Sequence, residues 1–438
     1  MSPRDPRCSV ANRIPPRGTG LARLTVGIGM YWKTHLCGSS VRSMLRPANS
    51  KVMFRAVRRA VLPPRGTGVA PERNLHSAYQ WLCAAQDASP DGGVAGCYNL
   101  VKGWGASYPE TTGYIIPTFL HYAKTFNIPD ARSRAIRMAD WEVDVQLPSG
   151  AVRSGTLDVK VGPAVFNTGQ VLFGWSSAYA ATGNERFARS AARASEWLLA
   201  NQDADGAWRR NLSVLTTSSV QSYNVRAAWG LAIAGEEFNE RRWSDAARRN
   251  ADWTLAQQNE NGWFASNGFS DGEDPLLHTI AYVLEGLLGI AELQHNDKYV
   301  EGVIKGIAPL IEIYRREKLL KGRYDERWKP TVSWRCLTGE AQLALVLLRL
   351  GKVTGDKDYG EVGDTILTDV AKHQDVDSPY PESHGSLAGS QPLWGSYGPF
   401  NYLNWAAKFL LDVLLLRLHG VDVQHQPSAL EQPSTLAS

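Results

Sequence analysis

The sequence has little of what a metal centre, a disulfide scaffold or a membrane span requires. Its five cysteines (Cys8, Cys37, Cys83, Cys97 and Cys336) are scattered through 438 residues without a CxxC pair. That spacing argues against a dense disulfide framework and marks no zinc site. It suits free thiols in a reducing, cytoplasmic compartment. The apolar stretch Leu24–Trp32 is nine residues long, well short of the roughly 20 that a membrane helix needs. No small-residue cleavage site clearly follows it, which makes it a poor secretion signal. Charge is also sparse in one respect. The net charge is only +4, and the excess sits in residues 1–70, where Arg55, Arg58, Arg59 and Arg65 have few acidic neighbours. The remainder is near neutral and lacks the basic footprint of a nucleic-acid binder. Neither a metal nor a cofactor is expected.

What is abundant is tryptophan and tyrosine, 15 and 16 residues. These side chains combine a large apolar face with a polar tip and suit cores, sugar-stacking surfaces and isoprenoid pockets. Four tryptophans recur with a period. Trp81, Trp141, Trp197 and Trp253 lie 60, 56 and 56 residues apart. Each closes an amphipathic run and precedes a glycine-containing turn, a helix stop. A second run follows every turn, as in GYIIPTFLHYAKTF (113–126), NTGQVLFGWSSAYAATG (167–183) and HTIAYVLEGLLGIAEL (278–293). The second kind of run is apolar on nearly every face and therefore buried; the first kind is two-faced and belongs outside. Further runs near 301–316, 336–350, 360–373 and 401–418 bring the total to six of each. The pattern predicts an all-α (α/α)6 toroid of six inner and six outer helices over residues 71–420. Residues 1–70, which contain PPRGTG twice (15–20 and 63–68), are expected to be a disordered basic extension, and 421–438 a disordered tail. A period near 56 is far from the roughly 34 of an open tetratricopeptide solenoid.

In such a toroid all inner helices run the same way, so their N-termini meet at one mouth. Glu110, Asn167 and Asn224 are spaced 57 and 57, His278 follows after 54, Arg335 after another 57, and the last turn reaches Tyr402 or Asn404. This series is hydrogen-bonding and titratable where core helices would carry apolar residues. Asn167 and Asn224 also suit plain helix caps, and Pro117 suits a first helical turn. Six helix N-termini favour an anion, and Arg226 and Arg335 are placed to clamp a carboxylate. Removal of a proton beside a carboxylate needs a base and a charge-stabilising cation: His278, Tyr282 and Tyr223 are the candidate bases or acids. A hydrolase needs two carboxylates, for which Glu110 and Glu340 are candidates. Tyr108, Tyr114 and Trp334 line the expected mouth. The glycine-rich stretch SHGSLAGSQPLWGSYGPFNYLNWAAKF, carrying His384, Trp394, Tyr397, Tyr402 and Asn404, is expected to fold over it as a substrate-binding flap.

Two resemblances attach to these motifs. QDADGAW, Gln202–Trp208, is similar to the QxxxGxW repeat of squalene-cyclase and protein-prenyltransferase toroids, with partial copies at Gln146–Gly150 and Gln258–Trp263. The DxDD acid of class II cyclases is missing. PLLHTIAYVLEGLL, Pro275–Leu288, is similar to the histidine-bearing inner helix of epimerase-like proteins among the six-hairpin carbohydrate enzymes, which also include unsaturated uronyl hydrolases and polysaccharide lyases. YPETTGY with a closing NWAAKF resembles a poorly characterised bacterial group found with polysaccharide genes, over residues 75–418. The resemblance implies a lyase, epimerase or hydrolase acting on an acidic, uronic-acid-type saccharide. A terpenoid cyclase or prenyltransferase relative is the alternative, as is a non-catalytic toroid that binds glycan or protein.

Overall fold

The computed structural model describes residues 47–61 and 70–423; Leu24–Trp32, both PPRGTG copies, Cys8, Cys37 and residues after 423 lie outside them. Thirteen helices are described: α1 (Pro47–Val61), α2 (Pro71–Asp87), α3 (Pro109–Phe126), α4 (Pro129–Val145), α5 (Val165–Thr182), α6 (Glu185–Asn201), α7 (Val225–Glu237), α8 (Arg241–Leu255), α9 (Leu277–Gln294), α10 (Asp297–Glu317), α11 (Leu337–Thr354), α12 (Lys357–Ala371) and α13 (Asn404–His419). The odd-numbered helices from α3 onward are buried along most of their length and pack side by side. α13 closes the ring by returning to both α3 and α2. The even-numbered helices form the outer layer, each with one exposed polar face. The (α/α)6 toroid read from the repeat is the observed fold.

Inner helices approach closely because glycine sits where they cross. A Cβ on Gly113 would lie 2.6 Å from Val171 Cα, and one on Gly169 2.5 Å from Ala227 Cα. Pro117, expected in a first turn, instead lies in the interior of α3. It cannot donate to the Gly113 carbonyl one turn back. That carbonyl faces the bare Cα of Gly174 on α5, where a Cβ would come within 2.4 Å of it.

The glutamine repeat is structural. Gln202 ends α6, and its Nε2 donates to Gly206 O (3.0 Å) in its own turn and to Ala246 O (2.9 Å) on the next outer helix. Gln146 does the same with Gly150 O and Ser190 O, and Gln258 with Gly262 O and Gly302 O. Gln86 joins Gly92 O to Arg134 O. Gln374 closes the series by donating to Gly385 O and to Asn74 O on α2. The glycine must be glycine: Gly206 has φ +93°, and a Cβ there would stand 2.3 Å from Arg249 O. Gly206→Ala therefore carries both strain and a clash and is expected to cost about 2–4 kcal/mol. Gly183→Ala, at φ +66° with open space around it, is expected to cost only about 1 kcal/mol. Denaturant midpoints of the two variants separate the effects.

The connections leading into the inner helices all lie at the mouth end and are stitched by small sheets. β1 (Cys97–Asn99) pairs antiparallel with β2 (Gly103–Trp104) and with β5 (Asn401–Leu403), while β3 (Arg335–Cys336) pairs with β4 (Ser390–Gln391). The long 372–403 connection is thus a fixed flap. It also holds α1, which lies within the segment expected to be disordered. Val52 and Ala56 of α1 are buried, Arg55 donates twice to the Asp375 carboxylate (2.7 and 2.6 Å), and Arg59 donates to Gln374 O. Composition showed only the excess of arginine; the fixed carboxylate that orders it lies some 320 residues away. At the other end, residues 421–423, expected within the tail, are described: Asp422 pairs with Arg349 and Val423 is buried.

Candidate active site

The site is built from one recurrent position, the second residue of each inner helix. These are Glu110, Phe166, Arg226, His278, Thr338 and Trp405. The connections between outer and inner helices differ in length, so equal spacing along the sequence slips out of helical phase. Glu110 and His278 are common to the structural set and to the spaced series. Asn167 is the third residue of α5 and Asn224 precedes α7, and neither caps its helix with its side chain. Threonines anchor the incoming loops instead: Val94 N–H donates to Thr112 Oγ1, and Val152 N–H to Thr168 Oγ1.

Glu110, Tyr108, Phe166 and His278 keep 8, 6, 5 and 5% of their surface, so the floor of the mouth is nearly closed. Tyr108 donates its hydroxyl to Glu110 Oε2 at 2.5 Å. The His278 ring lies 4.2 Å from that of Tyr282 and 5.3 Å from that of Tyr397, which the flap delivers. Phe166 touches both Tyr223 and Tyr282. Trp405 Nε1 donates to the Tyr397 hydroxyl and its ring meets Tyr108 edge-on. Tyr114 packs on Phe409 one layer below.

Burial pushes the Glu110 carboxyl up to about 7, against smaller opposing effects of the Tyr108 hydrogen bond and of Arg226. Burial, with Arg226 nearby, pushes His278 down to about 4 despite its bond to Gln342. At neutral pH Glu110 is therefore divided between acid and carboxylate, and His278 is a neutral imidazole. Burial raises Tyr108, Tyr223, Tyr282 and Tyr397 far enough to keep them neutral phenols. A phenolate at Tyr223 or Tyr282 is thus disfavoured, and among the candidate bases His278 is the one that is neutral with an imidazole lone pair.

The tautomer of His278 follows from its partners. Glu285 accepts from Arg226 Nε at 3.0 Å and from Gln342 Nε2 at 3.3 Å. Burial pushes the Glu285 carboxyl up, but Arg226 and Lys408 outweigh this and hold it below the usual range. An ionised carboxylate only accepts, which turns the Gln342 amide so that its Oε1 faces His278 Nδ1, 2.5 Å away. Nδ1 then carries the proton and Nε2 keeps a free lone pair. Gln342→Glu puts a charge beside the ring and is expected to move the acid limb of kcat/KM upward by about 1–3 pH units, as read from a pH–rate profile.

Several expected site residues are placed elsewhere. Arg335 binds the Glu340 carboxylate through Nε (2.9 Å) and Nη2, and also pairs with Asp369 on α12. Glu340 therefore faces the outer layer and does not form a two-carboxylate pair with Glu110. Arg226 is fully buried against Glu285, among the rings of Tyr114, Tyr282 and Phe409. Arg335 is committed to two carboxylates and Arg226 has no exposed surface, bonding Glu285 through Nε alone with Nη1 and Nη2 unpartnered, so the two guanidinium groups do not converge as a clamp at the mouth. His384 sits at the rim beside Gln80 and Ser378 O. Trp334 is wedged between Gly322 and Gly395, and Trp394 packs on the core from the flap. Tyr402 pairs with Tyr98 in the sheet. Asn404 donates to Ala95 O and Thr111 Oγ1, fixing the loop.

The inner ring also holds charges that the spacing argument missed. Below Arg226–Glu285 lie Lys408 and Asp412, 2.5 Å apart, with Thr118 Oγ1 donating to Asp412 at 2.7 Å. Arg349 follows, paired with Glu292 and Asp422. Burial lowers Lys408 and raises Asp412. The signal was present in the sequence: a charge inside a helix that is apolar all round must face the lumen, and Lys408 and Asp412 are four residues apart in NWAAKFLLDVLLL.

No family model and no curated protein matches the sequence. Solved structures do match the fold. An unsaturated glucuronyl hydrolase specific for heparin aligns with a TM-score of 0.63 and 18% identity, over 81% of this chain and 98% of that one. A sugar epimerase from a ruminal bacterium gives 0.64 and 11%, over 80% and 99%. Cellobiose 2-epimerase from Bacillus thermoamylovorans B4167 gives 0.61 and 10%, over 83% and 99%. The chain therefore has, over nearly the whole length of these proteins, the (α/α)6 toroid fold of six-hairpin sugar enzymes.

Proposed function

We propose that the protein is a carbohydrate-active enzyme that moves a proton at a sugar carbon next to a carbonyl or carboxylate, as an epimerase or lyase does. The observation that carries this reading is geometric: Glu110, bonded to the Tyr108 hydroxyl, and His278, set against the Tyr282 and Tyr397 rings, both stand at the second position of an inner helix at the same end of the ring; burial raises the Glu110 carboxyl and lowers His278. Groups whose environments drive them apart are suited to opposite proton transfers. His278 Nε2 takes the proton as the C–H bond breaks, and the electron pair moves toward the neighbouring carbonyl or carboxylate. The oxygen that gains charge takes a proton from Glu110 or is held by the Tyr108, Tyr282 and Tyr397 hydroxyls. With that oxygen held by the hydroxyls, delivery of the Glu110 proton to the other face of the carbon gives the epimer; alternatively the β C–O bond breaks and the Glu110 proton goes to the leaving oxygen, giving the unsaturated sugar. The converging helix N-termini favour an acidic saccharide, and the likeness to a glucuronyl hydrolase fold supports the same choice.

Hydrolysis by two carboxylates is less well supported, since Glu340 is tied to Arg335. A terpenoid cyclase is less well supported because the glutamine repeat staples the outer ring and carries no chemistry. Among the described residues no helix is long and apolar enough to cross a membrane, and Cys83, Cys97 and Cys336 are free, which supports a reducing compartment such as the cytoplasm.

The test is incubation with glucuronan, heparosan, alginate and neutral aldoses in deuterium oxide, followed by NMR and by ultraviolet absorbance. Deuterium entering at the carbon next to the carboxyl or carbonyl, or a new C=C absorbance, is the expected result. Folded protein that leaves every one of these sugars unlabelled and unabsorbing overturns the proposal.

A further inference from the structure

At the mouth end three loops border a solvent-open pocket of about 530 Å³, within the range of small-ligand sites. Its walls carry Asp271, Glu273, Asp274, Asp325 and Glu326, with Arg327 the one cation among the lining residues. The walls are built and fixed. Ser218 Oγ donates to Asp271 (2.9 Å), and Ser219 N–H donates to the same oxygen (3.1 Å). Asp325 accepts from the Arg327 and Lys329 N–H groups. Arg323 pairs with Glu273. The two main loops are joined where Trp328 Nε1 donates to Asn261 O and Asn261 Nδ2 to Glu326 O.

Two further observations point to a ligand. Asn267 lines this cavity, is 2% exposed, and its Oδ1 has no partner in the protein. A buried acceptor without a donor is costly to leave unmade. Trp263, half-buried, offers part of a large ring to the same space. The loop that carries Asn267 also packs against residues beside the floor. Phe269, on the same loop, lies against Tyr223, and Asn267 O accepts from Thr279, the residue after His278.

We infer that this cavity is a binding subsite for a sugar unit carrying a free ammonium group, adjacent to the unit that reacts on the Glu110–His278 floor. The inference rests on the proposed saccharide chemistry for its second half, the position of the reacting unit. Asp274 and Glu326 supply the charge, Asn267 Oδ1 accepts from a hydroxyl or ammonium, and Trp263 gives the apolar face on which a sugar ring or cation rests. The same walls repel a second carboxylate, so the unit next to the reacting one is not itself a uronate.

The probes are a glucosamine tetramer, its fully N-acetylated form, a galacturonate tetramer and tetralysine, titrated calorimetrically into the full chain at 0.15 M salt. The glucosamine tetramer is expected to bind at least about tenfold more tightly than the acetylated one, while binding of the galacturonate tetramer, confined to the floor, is not weakened by removing the cavity's charges. The double variant D274N/E326Q is expected to abolish that preference while leaving deuterium exchange on monosaccharides unchanged. Equal binding of free and acetylated tetramers, tetralysine binding as tightly as the glucosamine tetramer, or an unchanged double variant overturns the inference. Glucosamine binding with no exchange on any sugar removes only the proposed reaction; exchange without the binding preference removes only the subsite.

Discussion

Glu110→Gln lowers turnover by roughly 10²–10⁴-fold, the range for loss of a positioned acid or base, and makes the protein more stable at pH 8. The second effect has a definite sign. Burial raises Glu110 to about 7 in the folded state, above its ordinary value of 4.5, so the folded protein keeps a proton that the unfolded chain releases. The stability contributed by the protonated form is fully present below about pH 4.5 and is lost as pH rises through 7. The loss is on the order of 3 kcal/mol at pH 8. Glutamine is neutral at every pH and its Oε1 still accepts from Tyr108. The variant should match wild type in denaturant midpoint near pH 4.5 and exceed it at pH 8. An active-site carboxyl that weakens the fold is the expected cost of a functional group. A variant with full turnover, or one destabilised equally at both pH values, contradicts the role given to Glu110.

Glu285→Ala is expected to be the most damaging single change in the ring. It strands the Arg226 guanidinium, which is wholly buried between Tyr114, Tyr282, Phe173 and Phe409. Breaking one side of a buried pair costs about 3–5 kcal/mol, whereas replacing both partners with apolar residues is often close to neutral. R226L/E285L should therefore recover most of the stability lost in E285A, as measured by urea unfolding. It should not recover activity. Without the Glu285 carboxylate nothing turns the Gln342 amide, and His278 loses the partner that keeps its Nε2 unprotonated.

The ring of helices was legible because two signals agreed: an all-apolar against a two-faced composition, and a glutamine–glycine staple recurring at the same place. Both arise from local contacts, so they survive as patterns in the chain. The spaced series coincides with the second position of the inner helices at Glu110 and His278 and departs from it at Arg335. Arg335 lies on β3, two residues before α11 begins, and its guanidinium swings to Glu340 and Asp369. A residue count cannot register that a connection has grown or shrunk, and each added residue turns the next helix by about 100°. The flap was read as covering the mouth, and it does deliver Tyr397. Which of its aromatics would reach the centre depended on pairings between β1 and β5 and between β3 and β4, contacts separated by tens to hundreds of residues.

The staple from Gln374 to Asn74 has a further consequence. It makes the junction between α12 and α2 resemble every other junction between neighbouring outer helices, so a closed ring of six such units has no structural first member. The place where α13 ends beside α2 corresponds to the turns at Asn127–Ile128 and Gly183–Asn184, where an inner helix ends beside the next outer one. Where the polypeptide is interrupted is then arbitrary for the architecture. A chain rearranged to begin at α4, with a short linker from Val423 to Ala70, retains every one of these contacts.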